Sequence, residues 1–159
     1  MRRGGQTGRR VFRALAAGGS IAALAGCGSS GGLSHAQFVS RADSYCHEAT
    51  ARVAALTAPS SLSSLAGYAD QTRAETVQLA NRLASLKPSG SDKQALARYV
   101  SSLDTGNALL ARIATAAAAN EATTVGTLGK ELAAVPTAAI ATDAGLTDCA
   151  QSTAAAAAG

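Results

Sequence analysis

Between Leu62 and Leu86, apolar or small side chains recur at steps of three and four without a slip: Leu62, Leu65, Ala69, Thr72, Thr76, Leu79, Leu83, Leu86. That spacing keeps one stripe on one face of a helix, whereas a strand would scatter it over both faces. The spacing predicts a helix over 61–86 that must bury its seam against partners. No stretch of 33–149 shows sustained alternation of apolar and polar residues, and β-branched residues are sparse. The chain of 159 residues is sized for one domain.

Three further helices are expected. The first spans 34–57. It opens at the capping-box pattern Ser34-His35-Ala36-Gln37 and carries Phe38, Ala42, Tyr45, Ala49, Val53 and Leu56 on one face. It stops before Pro59. Lys87-Pro88-Ser89-Gly90 closes the second helix, and Ser91-Asp92-Lys93-Gln94 reads as a second capping box. The third helix then buries Leu96, Tyr99, Val100, Leu103, Leu110, Ile113 and Ala117, with Gly106-Asn107 weakening its middle. Asn120 marks its end, by a left-handed backbone or by capping the next helix. The fourth helix, 121–143, presents Val125, Leu128, Leu132, Val135 and Ala139. It kinks at Pro136 and stops at Gly145, with Leu146 packing back.

Four long helices with short connections imply an all-α, antiparallel up-down-up-down four-helix bundle over 34–150. The alanine-rich end, 151–159, is set apart as a disordered tail or short helical extension. Of the 159 residues, 40 are Ala, and aromatic residues make up 3%. The core is therefore thin, because each methyl group buries little area, and such a bundle benefits from a covalent staple.

The first 13 residues carry Arg2, Arg3, Arg9, Arg10 and Arg13, and an apolar run from Ala14 to Ala25 follows. About 12 apolar residues suit a signal segment and are too few to span a bilayer. The run ends in Leu24-Ala25-Gly26-Cys27, which resembles the lipobox of bacterial lipoproteins. That resemblance implies a signal peptide over 1–26, cleavage before Cys27, and acyl chains on the Cys27 thiol. The implied location is the extracytoplasmic face of the cell membrane, with the lipid as anchor. Two acyl chains suffice for stable anchoring, where one is marginal. Residues 27–33 then form a lipidated start and a Gly/Ser tether. The alternative is an ordinary secretory leader cleaved after Ala23-Leu24-Ala25. Arg9-Arg10-Val11-Phe12 partly resembles a twin-arginine export signal, so general secretion and twin-arginine export both stay open.

Past the leader, nine basic residues face ten acidic ones. The overall net charge of +4 is thus a property of the leader, and a nucleic-acid partner, which needs a basic face, is not expected. With no Trp, one Met and two His, a haem pocket, an aromatic stacking platform and a His-rich metal centre lack raw material.

If Cys27 carries lipid, Cys46 and Cys149 remain as an even pair in an oxidising compartment. Cys46 lies about 18 Å along the first helix. Cys149, four residues past Gly145, reaches back at most roughly 13 Å. The end of the fourth helix lies beside the start of the first in an antiparallel bundle, so fold and disulfide support each other. A redox-active pair and two free thiols are the alternatives. No Cys-x-x-Cys is present.

Phe38-x-x-x-Ala42-Asp43-x-x-Cys46 near the start and Gly145-Leu146-x-x-Cys149 near the end, around an Ala-rich middle, resemble small helical lipoproteins of high-GC Gram-positive bacteria. That group carries no established activity, so the resemblance implies a tethered, disulfide-linked helical domain and no catalytic residue. Asp43 and His47 share a helix face, with Glu48 adjacent, and could seed a metal site only with a further ligand from another helix, while His35 sits exposed at the helix start; a solvated ion pair is the plainer reading, and no metal or cofactor is expected. No Gly-x-Ser-x-Gly elbow is present. The function expected is a non-enzymatic, monomeric envelope interaction or accessory protein with a membrane-envelope partner. The alternative is a small-ligand or metal binder serving a transporter, with its groove beside Pro136 and Gly106-Asn107.

Overall fold

In the computed structural model, residues 31–158 are described. They form helices only, apart from one isolated β-bridge. The helices are α1 (His35–Ala54), α2 (Leu62–Ala84), α3 (Asp92–Ala118), α4 (Ala122–Ala133), α5 (Thr137–Asp143) and α6 (Thr147–Ala158). A disulfide joins Cys46 to Cys149, with Cα atoms 5.0 Å apart.

The helix ends follow their side chains. Ser34 caps α1 with both halves of the capping box, its hydroxyl accepting from the Gln37 amide and the Gln37 side chain accepting from the Ser34 amide. Ser61 does the same for α2 through Ser64. The box expected at Ser91 does not form: Ser91 itself has helical backbone angles and no side-chain cap bond. Gly90 just before it takes φ +57° and turns the chain so that the helical path begins one residue early. At the far end of α3, Asn120 adopts φ 59°. The Glu121 amide returns to the Ala116 carbonyl at 2.9 Å and the Asn120 amide to Ala117 at 3.1 Å, the paired bonds of a Schellman stop. Gly145, φ +74°, ends α5 in the same way, with the Leu146 amide donating to Ala141.

The expected single helix over 121–143 is two helices. Pro136 offers no amide and its ring excludes the preceding turn, so α4 stops at Ala133 and α5 restarts at Thr137. The restart changes the phase of the buried stripe. Ala139 is exposed, and Thr137 and Ala141 are buried instead.

Two apolar clusters share the interior. In one, Phe38, Cys46 and Ala49 of α1 meet Leu79 and Leu83 of α2, Leu96, Tyr99 and Leu103 of α3, and Leu146 and Cys149. In the other, Ala69 of α2 meets Leu109, Ile113 and Ala114 of α3 and Leu128 of α4. The last turns of α2 therefore pack on the first turns of α3, and the first turns of α2 on the last of α3. Gly106 does not break α3, which runs unbroken past it. A Cβ there would meet the Leu132 side chain at 3.6 Å, an ordinary contact, so the packing of α4 does not require the glycine.

The route to the disulfide differs from an extended reach. After Gly145 the chain starts α6 beside α1 and runs in the same direction. Asp43, Cys46 and Thr50 of α1 meet Asp148, Cys149 and Ser152 of α6 in that order. α6 continues as helix into the alanine tail, to Ala158.

Candidate functional site

The cystine is the most heavily built spot in the domain. Both sulfur-bearing residues are fully buried. The Tyr99 hydroxyl lies 3.7 Å from Cys46 Sγ and points its proton at it, since a disulfide sulfur has none to give. Tyr99 is itself 1% exposed. Burial, and to a lesser degree the Asp43 carboxylate, pushes its phenol pKa well above the ordinary value. Asp43 Oδ1 accepts from the amides of Asp148 at 3.1 Å and Cys149 at 3.4 Å. These are amides of the first turn of α6, so a carboxylate from α1 caps α6 across the interface. The Thr50 hydroxyl donates its one proton to the Cys46 carbonyl at 2.8 Å and lies against the Ser152 hydroxyl. Asp43 and Thr50 thus hold α6 on α1, and Tyr99 brings α3 to the same cystine.

This overturns the reading of Asp43 and His47 as an ion pair. Asp43 faces the α6 terminus, and His47 is exposed. His35 lies at the start of α1 and is paired with Asp92, Nδ1 to Oδ1 at 3.0 Å. Among the described residues, no group of three or more His, Cys, Asp or Glu is placed to share a metal ion.

A second polar cluster runs between α1 and α2. Arg82 bonds Glu48 at 2.6 Å and lies over the Tyr45 ring, 3.9 Å from its centre. Arg52 pairs with Glu75 and stands 3.9 Å from Glu48. The hydrogen bond from Arg82 holds the Glu48 carboxyl below its ordinary pKa, and the same bond raises Arg82. Each acid has its cation, so the cluster zips two helices together.

A shallow groove of about 960 Å³ lies between α3 and the α4–α5 break, beside Pro136. Arg98, Thr105, Arg112, Glu131 and Ile140 are among the side chains along it. Arg112 and Glu131 bridge it at 3.2 Å. Asn107 does not line it. That side chain is 8% exposed, and neither its Nδ2 nor its Oδ1 has a partner; Thr72 Oγ1 on α2 is likewise buried and unpaired.

A third feature lies where the chain enters the domain. Leu33 pairs with the α2–α3 connection: its amide donates to the Lys87 carbonyl at 2.7 Å, and its carbonyl accepts from the Ser89 amide at 3.1 Å. Ser89 Oγ adds a second bond to the same carbonyl. Gly32 passes so near Lys87 that a Cβ would overlap that residue's carbonyl. Pairing between residues some 55 positions apart leaves no periodicity to read, and the Gly/Ser run masks it as plain linker.

Of the residues singled out from sequence, Cys46 and Cys149 are brought together. Leu24, Ala25, Gly26 and Cys27, with the leader, lie outside the described residues. No helix among the described residues is long and apolar enough to cross a membrane. Comparison with protein-family models, with curated proteins and with solved structures finds no match to this chain.

Proposed function

We propose that this chain is a lipid-anchored, extracytoplasmic helical protein, non-enzymatic and monomeric, which serves a membrane-envelope complex as an interaction or accessory component. The observation that carries the reading is the cysteine distribution. Three cysteines are present. Two form a buried cystine, the mark of an oxidising compartment. The third, Cys27, is the one in the lipobox-like sequence. Cys27 then carries the acyl chains, and 1–26 is the cleaved signal peptide. The domain is an up-down-up-down arrangement whose fourth arm is broken at Pro136. The polar clusters support a non-catalytic role, because their charges and hydrogen bonds are spent on joining helices.

The test is Cys27→Ala in the producing cell. The native protein is expected to fractionate with membranes and partition into detergent, and the variant to appear in the soluble fraction. Equal membrane retention of the two contradicts the anchor.

The groove beside Pro136 favours a second reading, a small-ligand binder serving a transporter. It has an apolar wall and an Arg–Glu pair at its rim, which suits an amphipathic organic molecule. Native mass spectrometry with a retained small molecule supports that reading over the first.

A further inference from the structure

We infer that the end of the domain formed by the α1 start, the α2–α3 connection and the α5–α6 turn is the face held against the phospholipid surface, with the opposite end directed away from it. The inference rests on the lipid-anchor reading above and adds an orientation to it.

The steps are geometric. Leu33 is fixed to Lys87 and Ser89 by three hydrogen bonds. Gly32 is confined by the Lys87 carbonyl. Five residues, 28–32, separate Cys27 from Leu33, and a stretch of that length extends to roughly 20 Å at most. The α3 rod alone, at 27 residues, is about 40 Å long. A tether half as long as the rod cannot let the domain stand inverted, with the α1–α2 connection, residues 55–61, or the α3–α4 turn, residues 119–121, on the membrane and the near end a full rod length above it. Three elements meet at the tethered end. His35 of α1 bonds Asp92 of α3, and a Cβ added to Gly145 would meet the His35 ring at 3.9 Å. Lys87 and Lys93 flank the exit of the tether and are exposed. Asp92 beside them is occupied by His35, so these two ammonium groups are available to lipid phosphates. Apart from the groove beside Pro136, the described sides of the domain carry little apolar surface. Among the described residues Val77 is the one large apolar side chain left exposed.

The experiment uses the full acylated chain on vesicles of phosphatidylcholine and phosphatidylglycerol that carry a headgroup nitroxide. Ser91→Cys, at the tethered end, and Ser60→Cys, at the far end, are labelled singly with a fluorophore. Both positions are exposed. Flotation is read on the same samples. The expected result is co-flotation of both proteins, with quenching several-fold stronger at position 91 than at position 60. Equal quenching, or stronger quenching at 60, in proteins that float overturns the orientation and leaves the anchor standing. Protein that carries its acyl mass and fails to float overturns the anchor and the orientation together. As a control on the cause, inserting a Gly/Ser run of about 15 residues after Ser30 should shrink the difference, because a flexible chain of that length spans the rod when extended. A difference that persists unchanged overturns tether length as its origin.

Discussion

Around the cystine, Phe38, Leu83, Tyr99 and Leu146 are each 1% exposed or less. They are drawn from α1, α2, α3 and the turn before α6, with the disulfide and the Asp43 cap closing the set. The other cluster is made of Ala69, Leu109, Ile113, Ala114, Ala116 and Leu128, with no aromatic ring and no covalent link. Asn107 and Thr72, buried without partners, come from the stretches of α3 and α2 between the residues of the two clusters. An alanine-rich chain buries little area per residue, so it cannot hold both ends equally. Here the large side chains and the staple are concentrated at one end, the end where the chain enters and where α6 returns. The other end, with the α3–α4 turn and the proline break nearby, is held by methyl groups and leucines. Regions with fewer buried contacts open at lower free energy.

The largest effect should come from the staple. Reducing the disulfide, or replacing both Cys46 and Cys149 by Ala, is expected to lower stability by about 4–5 kcal/mol in the loop-entropy model for a closed loop of this size. Chemical denaturation with and without reductant measures it. An unchanged midpoint means that the link contributes nothing and that the two ends do not differ on this account.

Next comes the core itself. Phe38→Ala should cost about 3–5 kcal/mol, and Leu128→Ala about 2–3 kcal/mol, because the second site removes fewer atoms from a looser surround. Equilibrium unfolding of both variants tests the ranking, and a larger loss at Leu128 breaks the comparison.

A smaller change, opposite in sign, is expected between the clusters. Asn107→Leu removes two buried atoms that have no partner, so it should stabilise by about 1 kcal/mol. A clear destabilisation shows that the amide is satisfied in solution by water.

The smallest effect is confined to alkaline pH. The folded Tyr99 phenol holds its proton beyond the pH at which the unfolded one releases it. The stability this confers is full below about pH 10 and falls as pH rises above it, because the unfolded state then binds fewer protons. Tyr99→Phe should flatten that part of the stability curve. An alkaline limb identical in the two proteins removes Tyr99 from the account.

Much of this organisation was legible in the chain, and the illegible part has a common cause. The seam of Leu62 to Leu86, the Ser34 box, the Asn120 stop and the Gly145 stop are local, set by side chains within four or five residues of where they act. The pairing of Cys46 with Cys149 was legible from counting and reach. The features that sequence reading missed depend on partners far along the chain. Asp43 caps a helix that starts more than 100 positions later, so its neighbour His47 was the only visible partner. Glu48 and Arg82 sit on different helices, 34 positions apart. The Ser91 box failed because the turn at Gly90 had already set the backbone. Pro136 was visible, but its effect was read as a kink in one helix. The actual break changed the phase of the buried positions in α5 and turned Ala139 outward.

The central proposal is that this is an acylated, disulfide-held protein on the extracytoplasmic face of the cell membrane. The most direct test is an intact, non-reducing mass spectrum of the protein extracted from its own membranes. The account predicts a chain beginning at Cys27, heavier by its acyl chains and lighter by the two hydrogens of the Cys46–Cys149 link. A chain with an unmodified Cys27, or one with all its thiols free, contradicts it.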